Sequence, residues 1–275
     1  MDIILHPASE KKLATYHNEL PQSLLLAGDR GVGLATIARS LAGKNLAGFI
    51  EPLNTKEEVD HNVGTISVDI VRRLYEQTRS KQTSERIIIL DDADRMSHGA
   101  QAAFLKLLEE PTAQTHFILT SHSPQLILPT VRSRVQTVTI NPLTPEQTKE
   151  YLNRLNITDP KKRMQLEYVA SGLPAELARL IQDEAYFARR AGIMTDTREF
   201  LTASTYQKLL IAHKYHQDKG AALQLLDSAL SVTRRSLSDK PQPNLVTQLE
   251  KLLATREKIE ANGNVRLQLA AFVLQ

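Results

Sequence analysis

The stretch that most constrains the fold spans residues 86–134, in which two apolar runs flank a helical pattern. The first run, residues 87–90, is unbroken and is followed at once by Asp91 and Asp92. Such a run is typical of a strand in a parallel sheet, because helices cover both faces of these sheets. We therefore expect a buried strand whose carboxyl end carries two carboxylates.

A helix and a second strand follow. Apolar residues recur at helical spacing over residues 102–108, and Pro111 ends the pattern because proline cannot continue a helix interior. The second apolar run, residues 117–119, leads into the polar residues 120–122. Strand, helix and strand with short joints form a βαβ unit, and ligands of such sheets collect at the carboxyl ends of the strands. The sequence thus predicts a site at this edge.

A glycine-rich loop earlier in the chain has the context of a phosphate-binding loop. A small apolar run precedes it, a helical pattern follows it, and its glycines are Gly28, Gly31 and Gly33. A P-loop requires lysine and then serine or threonine where this chain has Leu34 and Ala35. The lysine would neutralise phosphates and the hydroxyl would bind magnesium. We interpret the P-loop as decayed, with weak binding of ATP by its backbone N–H groups as the alternative.

Three blocks of the sequence together resemble the clamp-loader subunits of the AAA+ proteins, in the order IIILDDADRM, AAFLKLLEEP and FILTSHSPQLILPTVRSR. Within that family the chain is most similar to the delta-prime subunits of bacterial DNA polymerase III. The resemblance implies an α/β AAA+ P-loop-type domain with a parallel sheet, a small helical lid and an all-α C-terminal collar domain. The expected divisions are residues 1–142, 143–187 and 188–275.

The resemblance also implies roles for the residues after the two strands. Asp91 and Asp92 take the place of the Walker B carboxylates, of which the first holds magnesium and the second orients the attacking water. Active members generally have glutamate at the second position, and aspartate is shorter by ~1.5 Å. A simpler alternative is that Asp91 and Asp94 solvate a strand end. Ser121 takes the place of the sensor 1 residue, and His122 is interpreted as a polar loop residue.

Arg134 carries the most informative short motif. Clamp loaders have Ser-Arg-Cys where this chain has Ser133, Arg134 and Val135, and their arginine acts as a finger in the ATP site of a neighbouring subunit. A guanidinium suits this role because it is always charged and its planar fork matches a phosphate. We expect Arg134 to act in trans, with a surface ion pair as the alternative. No cofactor is expected in this chain, since partner subunits would bind ATP and magnesium.

Composition limits the kinds of site and binding partner that the chain can have. The chain has no cysteine, which excludes disulfides and thiolate zinc sites and departs from delta-prime relatives that carry a cysteine zinc module. The net charge of +3 is too small to imply a dedicated nucleic-acid binder. A predicted helix near residue 70 carries basic residues that we interpret as a solvated face, with phosphate contact as the alternative: Arg72, Arg73, Arg79 and Lys81.

The resemblance, with the decayed P-loop, implies a non-catalytic, stator-like delta-prime-type subunit that supports ATP-driven loading of a sliding clamp onto primed DNA. The expected partners are gamma- or tau-type ATPase subunits and a delta-type subunit, with only weak or indirect contact to clamp and DNA. The start of the chain lacks a leader pattern and no apolar run is long enough for a membrane span, so we expect a cytoplasmic protein.

Two alternatives to this function remain. One is an active gamma-type ATPase, which Leu34 argues against. The other is an AAA+-derived interaction scaffold outside replication, which the Ser-Arg motif and a collar-like C-terminal helix disfavour. Residues 54–65 are predicted only as a polar loop, and the chain after Tyr186 is predicted to be helical with breaks near Gly192 and at residues 238–243.

Overall fold

The computed structural model describes residues 3–16, 19–61, 63–78, 84–110 and 114–274, without the side chains of residues 238 and 239. The chain divides into two units, Met1–Ala178 and Arg179–Gln275. The division lies inside the predicted lid, and the three-part domain organisation stays a prediction. Pro111, which was expected to end a helix, lies outside the described residues.

A five-stranded parallel sheet forms the centre of the first unit. Its strands are β1 (Ser23–Gly28), β2 (Leu46–Ile50), β3 (Arg86–Leu90), β4 (Thr115–Ser121) and β5 (Gln136–Ile140). Their spatial order is β2-β3-β4-β1-β5, so β3 and β1 both pair with β4. Because the strands are parallel, the residues that follow β1, β3 and β4 meet at one edge of the sheet.

Helices α1 to α5 of the first unit cover the two faces of this sheet. They are α1 (Pro7–Ala14), α2 (Leu34–Ala42), α3 (Val68–Thr78), α4 (His98–Glu109) and α5 (Pro129–Arg132). They are followed by α6 (Pro145–Arg154), α7 (Pro160–Ala170) and α8 (Pro174–Gln182), the last of which continues into the second unit. In β3, Ile88 and Leu90 pack on the side of α3 and α4, whereas Ile87 and Ile89 pack on the side of α1 and α2. Every residue of β3 is buried, which confirms the expected strand and the α/β fold class.

Helices make up the second unit within the residues that the structure describes. They are α9 (Glu184–Thr202), α10 (Thr205–Tyr215), α11 (Lys219–Asp239), α12 (Pro243–Glu260) and α13 (Val265–Leu274). Their shared core includes Phe200, Leu226 and Leu252. No described helix combines the length and the apolar character that a membrane crossing requires.

The predicted helix break near Gly192 is wrong. α9 continues through this residue, and its buried residues Tyr186, Met194 and Phe200 lie on both sides of it. A single glycine in a helix costs only ~1 kcal/mol, which the burial of these side chains exceeds. The break predicted at residues 238–243 is confirmed, because α11 ends and α12 begins there.

The turn between α7 and α8 requires glycine. Gly172 has a φ of 81°, and its carbonyl oxygen accepts a hydrogen bond of 2.8 Å from the Leu143 N–H. A Cβ atom at this position would lie 2.6 Å from the Leu143 carbonyl oxygen, which is closer than two such atoms approach in proteins. The turn therefore tolerates neither a side chain nor the backbone preference of other residues.

We expect Gly172→Ala to lower the free energy of unfolding by ~1–3 kcal/mol, because it adds both backbone strain and a clash with the Leu143 carbonyl. Gly192→Ala is the matched control, since Gly192 is exposed in mid-helix and an added Cβ would meet no atom within 4 Å. That change should raise stability by ~0.5–1 kcal/mol. Urea unfolding followed by circular dichroism measures both, and effects of the same sign would contradict the expectation.

Candidate functional site

The glycine-rich loop lies at the carboxyl end of β1. Gly31 and Gly33 have φ values of 89° and 91°, a region that glycine enters without strain. Leu34 begins α2 and is 2% exposed, within the hydrophobic cluster that also contains Leu26 and Ile37. The side chain at the position of the P-loop lysine is therefore part of the core and offers no charge to a phosphate.

The first turn of α8 lies against this loop. The N–H groups of Ala175 and Glu176 donate to the Gly31 carbonyl oxygen at 2.9 and 3.2 Å. Pro174, the first residue of the helix, has no N–H group. The N-terminal N–H groups of a helix are the ones that can bind an anion. Here the two that follow the proline are occupied by the loop.

Thr120 connects the two aspartates that follow β3. Its hydroxyl donates to Asp91 Oδ1 at 2.6 Å and accepts from the Asp92 N–H at 2.9 Å. Asp91 is 8% exposed, and burial raises the pKa of its carboxyl above the ordinary value despite the opposing effect of the Thr120 hydrogen bond. The Walker B roles of Asp91 and Asp92 stay predictions, as does the alternative in which Asp91 and Asp94 solvate a strand end. Asp91 and Asp94 are both buried, and the His122 N–H donates to Asp94 Oδ1 at 3.1 Å.

Asp92 lies between two histidines. His61 Nδ1 is 2.9 Å from Asp92 Oδ2, and His122 Nε2 is 3.5 Å from Asp92 Oδ1. Burial alone would raise the pKa of Asp92, but the hydrogen bond with His61 and the electrostatic effects of the nearby His122 and Arg30 lower it below the ordinary value. The same hydrogen bond raises the pKa of His61 above 6.5, against the effect of burial. The Asp92 carboxylate therefore forms an ion pair with His61.

His122 has a larger structural role than the sequence predicts. Its Nδ1 atom is 2.8 Å from the Gly28 carbonyl oxygen, so the imidazole joins the end of β1 to Asp92 at the end of β3. Ser121 is fully buried, and its hydroxyl accepts from the Ser123 N–H at 3.1 Å. The neighbours of Ser121 on either side, Thr120 and His122, contact the two aspartates through their side chains. The assignment of Ser121 as sensor 1 stays a prediction.

Sequence reasoning missed two residues at this edge, Glu51 and His61. Glu51 follows β2, and His61 Nε2 lies 3.6 Å from Glu51 Oε1. The loop is folded back by hydrogen bonds between Leu53 and Thr65, which carries His61 to the strand ends. No spacing in the sequence signals this, because His61 lies in an irregular polar segment 30 positions before Asp91.

Arg134 follows α5. Among the described residues, its polar contacts include Thr130 and Glu109 and none of the residues around Asp91 and Asp92. One nitrogen of its guanidinium donates to the Thr130 carbonyl oxygen at 3.0 Å, and another is 2.7 Å from Glu109 Oε1. The side chains of Arg134 and Glu109 are 39% and 51% exposed. Ion pairs with this exposure contribute ~0.2–1 kcal/mol. Glu109 therefore orients the arginine without holding it firmly.

Comparison with known proteins places these features in context. A family model described as DNA polymerase III, delta subunit matches residues 49–144, which include the two aspartates and Arg134. The DNA polymerase III subunit delta' of Yersinia pestis is 32% identical over 176 residues, covering 60% of this chain and 50% of that protein. A replication factor C small subunit of Aeropyrum pernix is 33% identical over 136 residues, covering 47% of this chain and 40% of that protein.

The chain thus aligns with about half, or less, of the length of these relatives. Among solved structures, a RuvB variant of Thermotoga maritima matches with a TM-score of 0.51 over 98% of this chain and 88% of that chain. The sequence identity of 14% means that this match supports the fold alone.

We expect His61→Gln to lower the free energy of unfolding more at about pH 6 than at about pH 9. The pKa of His61 is raised in the folded state. Its contribution is therefore fully present below the ordinary histidine pKa of ~6.5 and is lost as the pH rises through the raised folded value. Urea titrations at both pH values, in buffer with EDTA, measure the difference.

Asp92→Asn supplies the control, because His61→Gln should have little pH-dependent effect once the carboxylate is gone. The lowered pKa of Asp92 means that its own contribution is present above the ordinary aspartate pKa of ~3.9 and is lost only as the pH falls through the lower folded value. The two titrations therefore do not overlap. A destabilisation by His61→Gln that is equal at both pH values would contradict the ion pair.

Proposed function

We propose that this chain, which is similar to the delta-prime subunits of the clamp-loader family of AAA+ proteins, is a non-catalytic, stator-like subunit of a clamp loader. In this proposal it supports the loading of a sliding clamp onto primed DNA without turning over ATP itself. It supplies Arg134 as an arginine finger to the ATP site of a neighbouring subunit. It works in the cytoplasm as part of a hetero-oligomeric ring.

The observation that carries the proposal is the state of the glycine-rich loop, where the lysine position is taken by the buried Leu34. The loop has neither the lysine nor the hydroxyl of an active P-loop, and its Gly31 carbonyl oxygen accepts the two N–H groups that follow the proline of α8. A nucleotide phosphate at this loop would meet neither a cation nor a hydroxyl that anchors magnesium. The gamma-type ATPase alternative requires both groups, so their absence argues against it.

The contacts of Asp92 also argue against ATP turnover by this chain. In an active subunit the second Walker B acid must be available to orient a water molecule. Asp92 instead faces His61 and His122, which would have to be released before the carboxylate could do so. Its pKa is lowered, so the carboxylate remains charged and paired at neutral pH.

Arg134 differs from the buried and paired Asp92, because its side chain is exposed and only weakly held by Glu109. An arginine finger accelerates phosphoryl transfer by ~10³ to 10⁵, which corresponds to ~4–7 kcal/mol of transition-state stabilisation. The surface pair with Glu109 contributes ~0.2–1 kcal/mol. The cost of releasing Glu109 is therefore small beside the transition-state stabilisation that an arginine finger provides.

The proposed partners follow from the same division of roles. Gamma- or tau-type subunits would bind ATP and magnesium, and a delta-type subunit would complete the ring. Direct contact with DNA is proposed to be weak, because the net charge is only +3 and the exposed Arg72 already pairs with Asp69 at 3.5 Å. Arg79 and Lys81 lie outside the described residues.

We expect Arg134→Ala to lower ATP turnover at the site that it serves by ~10³-fold or more, because the transition state loses its added positive charge. The measurement is single-turnover ATP hydrolysis by a complex reconstituted from purified motor subunits and this chain. Turnover of the whole ring should fall by the share of that one site. Arg134→Lys should restore only part of the loss, since lysine keeps the charge without the planar fork.

Arg132→Ala is the matched control, because Arg132 is an exposed arginine two positions earlier. It should leave turnover unchanged. Gel filtration verifies that each variant assembles. Full turnover by an intact complex that contains Arg134→Ala would remove the finger assignment, and hydrolysis of ATP by the isolated chain would favour the gamma-type alternative.

A further inference from the structure

Three ligating side chains converge at the edge of the sheet beyond β2 and β3. Glu51 and Asp91 follow these neighbouring parallel strands, and the Asp91 N–H donates to the Ile50 carbonyl oxygen at 2.8 Å. The returning loop adds His61. One oxygen of each carboxylate and one imidazole nitrogen all lie within 4.8 Å of one another. We propose that Glu51, His61 and Asp91 bind a divalent transition-metal ion, and that they do so without a nucleotide.

The orientation of His61 supports this proposal. Its Nδ1 atom faces Asp92 Oδ2 at 2.9 Å, while its Nε2 atom faces Glu51 at 3.6 Å. A histidine that binds a metal usually gives its other ring nitrogen to a carboxylate, which fixes the ring and its tautomer. Asp92 is 3% exposed and holds that position here. With the proton on Nδ1, the lone pair of Nε2 is available on the side of Glu51.

The separations suit a metal ion. Ligand atoms ~2.0–2.2 Å from a tetrahedral zinc ion lie ~3.3–3.6 Å apart. The distance of 3.6 Å between His61 Nε2 and Glu51 Oε1 agrees with this geometry. The side chains of Glu51 and His61 are 29% and 41% exposed, so they can close the remaining distance and leave a path for the ion. Open coordination positions would be filled by water.

Asp91 supplies the buried end of the site. It is 8% exposed, and within the described residues Thr120 is the one hydrogen-bond donor to its side chain, through Oδ1. The second carboxylate oxygen therefore keeps its capacity to bind a cation. A carboxylate buried to this degree costs several kcal/mol unless it is paired, and a metal ion would supply the compensating charge.

The donor set indicates the class of metal. An imidazole nitrogen with two carboxylates suits zinc, cobalt or manganese, whereas magnesium prefers oxygen ligands alone. The site also differs from a magnesium ion held between a Walker B acid and nucleotide phosphates, because two of its three ligands come from β2 and its loop. Metal binding would fasten this loop to the end of β3. The proposal does not depend on the finger role of Arg134.

The test is isothermal titration calorimetry of the full, tag-free chain with zinc chloride after EDTA treatment and buffer exchange. We expect one equivalent to bind with no nucleotide present. His61→Ala and Glu51→Gln should each weaken that equivalent by ~100-fold or more, and Asp92→Asn by ~10–100-fold through loss of the histidine orientation. The absorption spectrum of bound cobalt should show nitrogen and oxygen ligands and should disappear in His61→Ala.

His213→Ala with His216→Ala is the control, because these rings stack 4.5 Å apart and form another pair of adjacent imidazoles. This double variant should keep the first equivalent. Zinc should also raise the unfolding temperature of the wild type and not that of His61→Ala, which tests the site in the unaltered chain. Absence of zinc binding up to millimolar concentration, its persistence in His61→Ala, or its loss in the histidine control would overturn the proposal.

Discussion

The structure depends on how two charged side chains are kept at the end of a strand that has no exposed face. β3 is buried along its whole length, so Asp91 and Asp92 leave it inside the protein rather than in water. Burying a carboxylate without a partner costs several kcal/mol. Thr120, His61 and His122 offset that cost with hydrogen bonds and positive charge. Because these groups come from β4 and from the loop after β2, the same contacts hold three neighbouring segments together.

This arrangement also explains how an ATPase fold persists without its ligand. In an active P-loop the phosphates are bound by a lysine, by loop N–H groups and by a metal ion. Here Leu34 is part of the core, α8 donates to the Gly31 carbonyl oxygen, and Asp92 pairs with two histidines. The Gly31 carbonyl oxygen and the Asp92 carboxylate therefore both have partners within the described part of the chain. Arg134 differs because its partner, Glu109, is itself exposed and easily exchanged.

Much of the fold could be predicted from local patterns. The unbroken apolar run of β3 and the glycines before α2 are signals carried by adjacent residues, as is the capping box of Thr144 and Gln147. The positions of Glu51, His61 and His122 could not be predicted, because their contacts join segments that lie far apart in the sequence. The closure of α8 onto Gly31 has no local signal either. At Gly192 the local signal was misleading. The glycine predicted a helix break, but packing of the buried side chains on either side keeps α9 continuous.

The central claim is that this chain cannot use its glycine-rich loop as an ATP site. The most direct measurement is equilibrium binding of a fluorescent ATP analogue, with magnesium, to the purified full chain, followed by fluorescence anisotropy. We predict no saturable binding up to millimolar analogue, because Leu34 and Ala35 supply neither a cation for the phosphates nor a hydroxyl for magnesium. Saturable, magnesium-dependent binding at micromolar concentration would contradict the account and favour an active ATPase subunit.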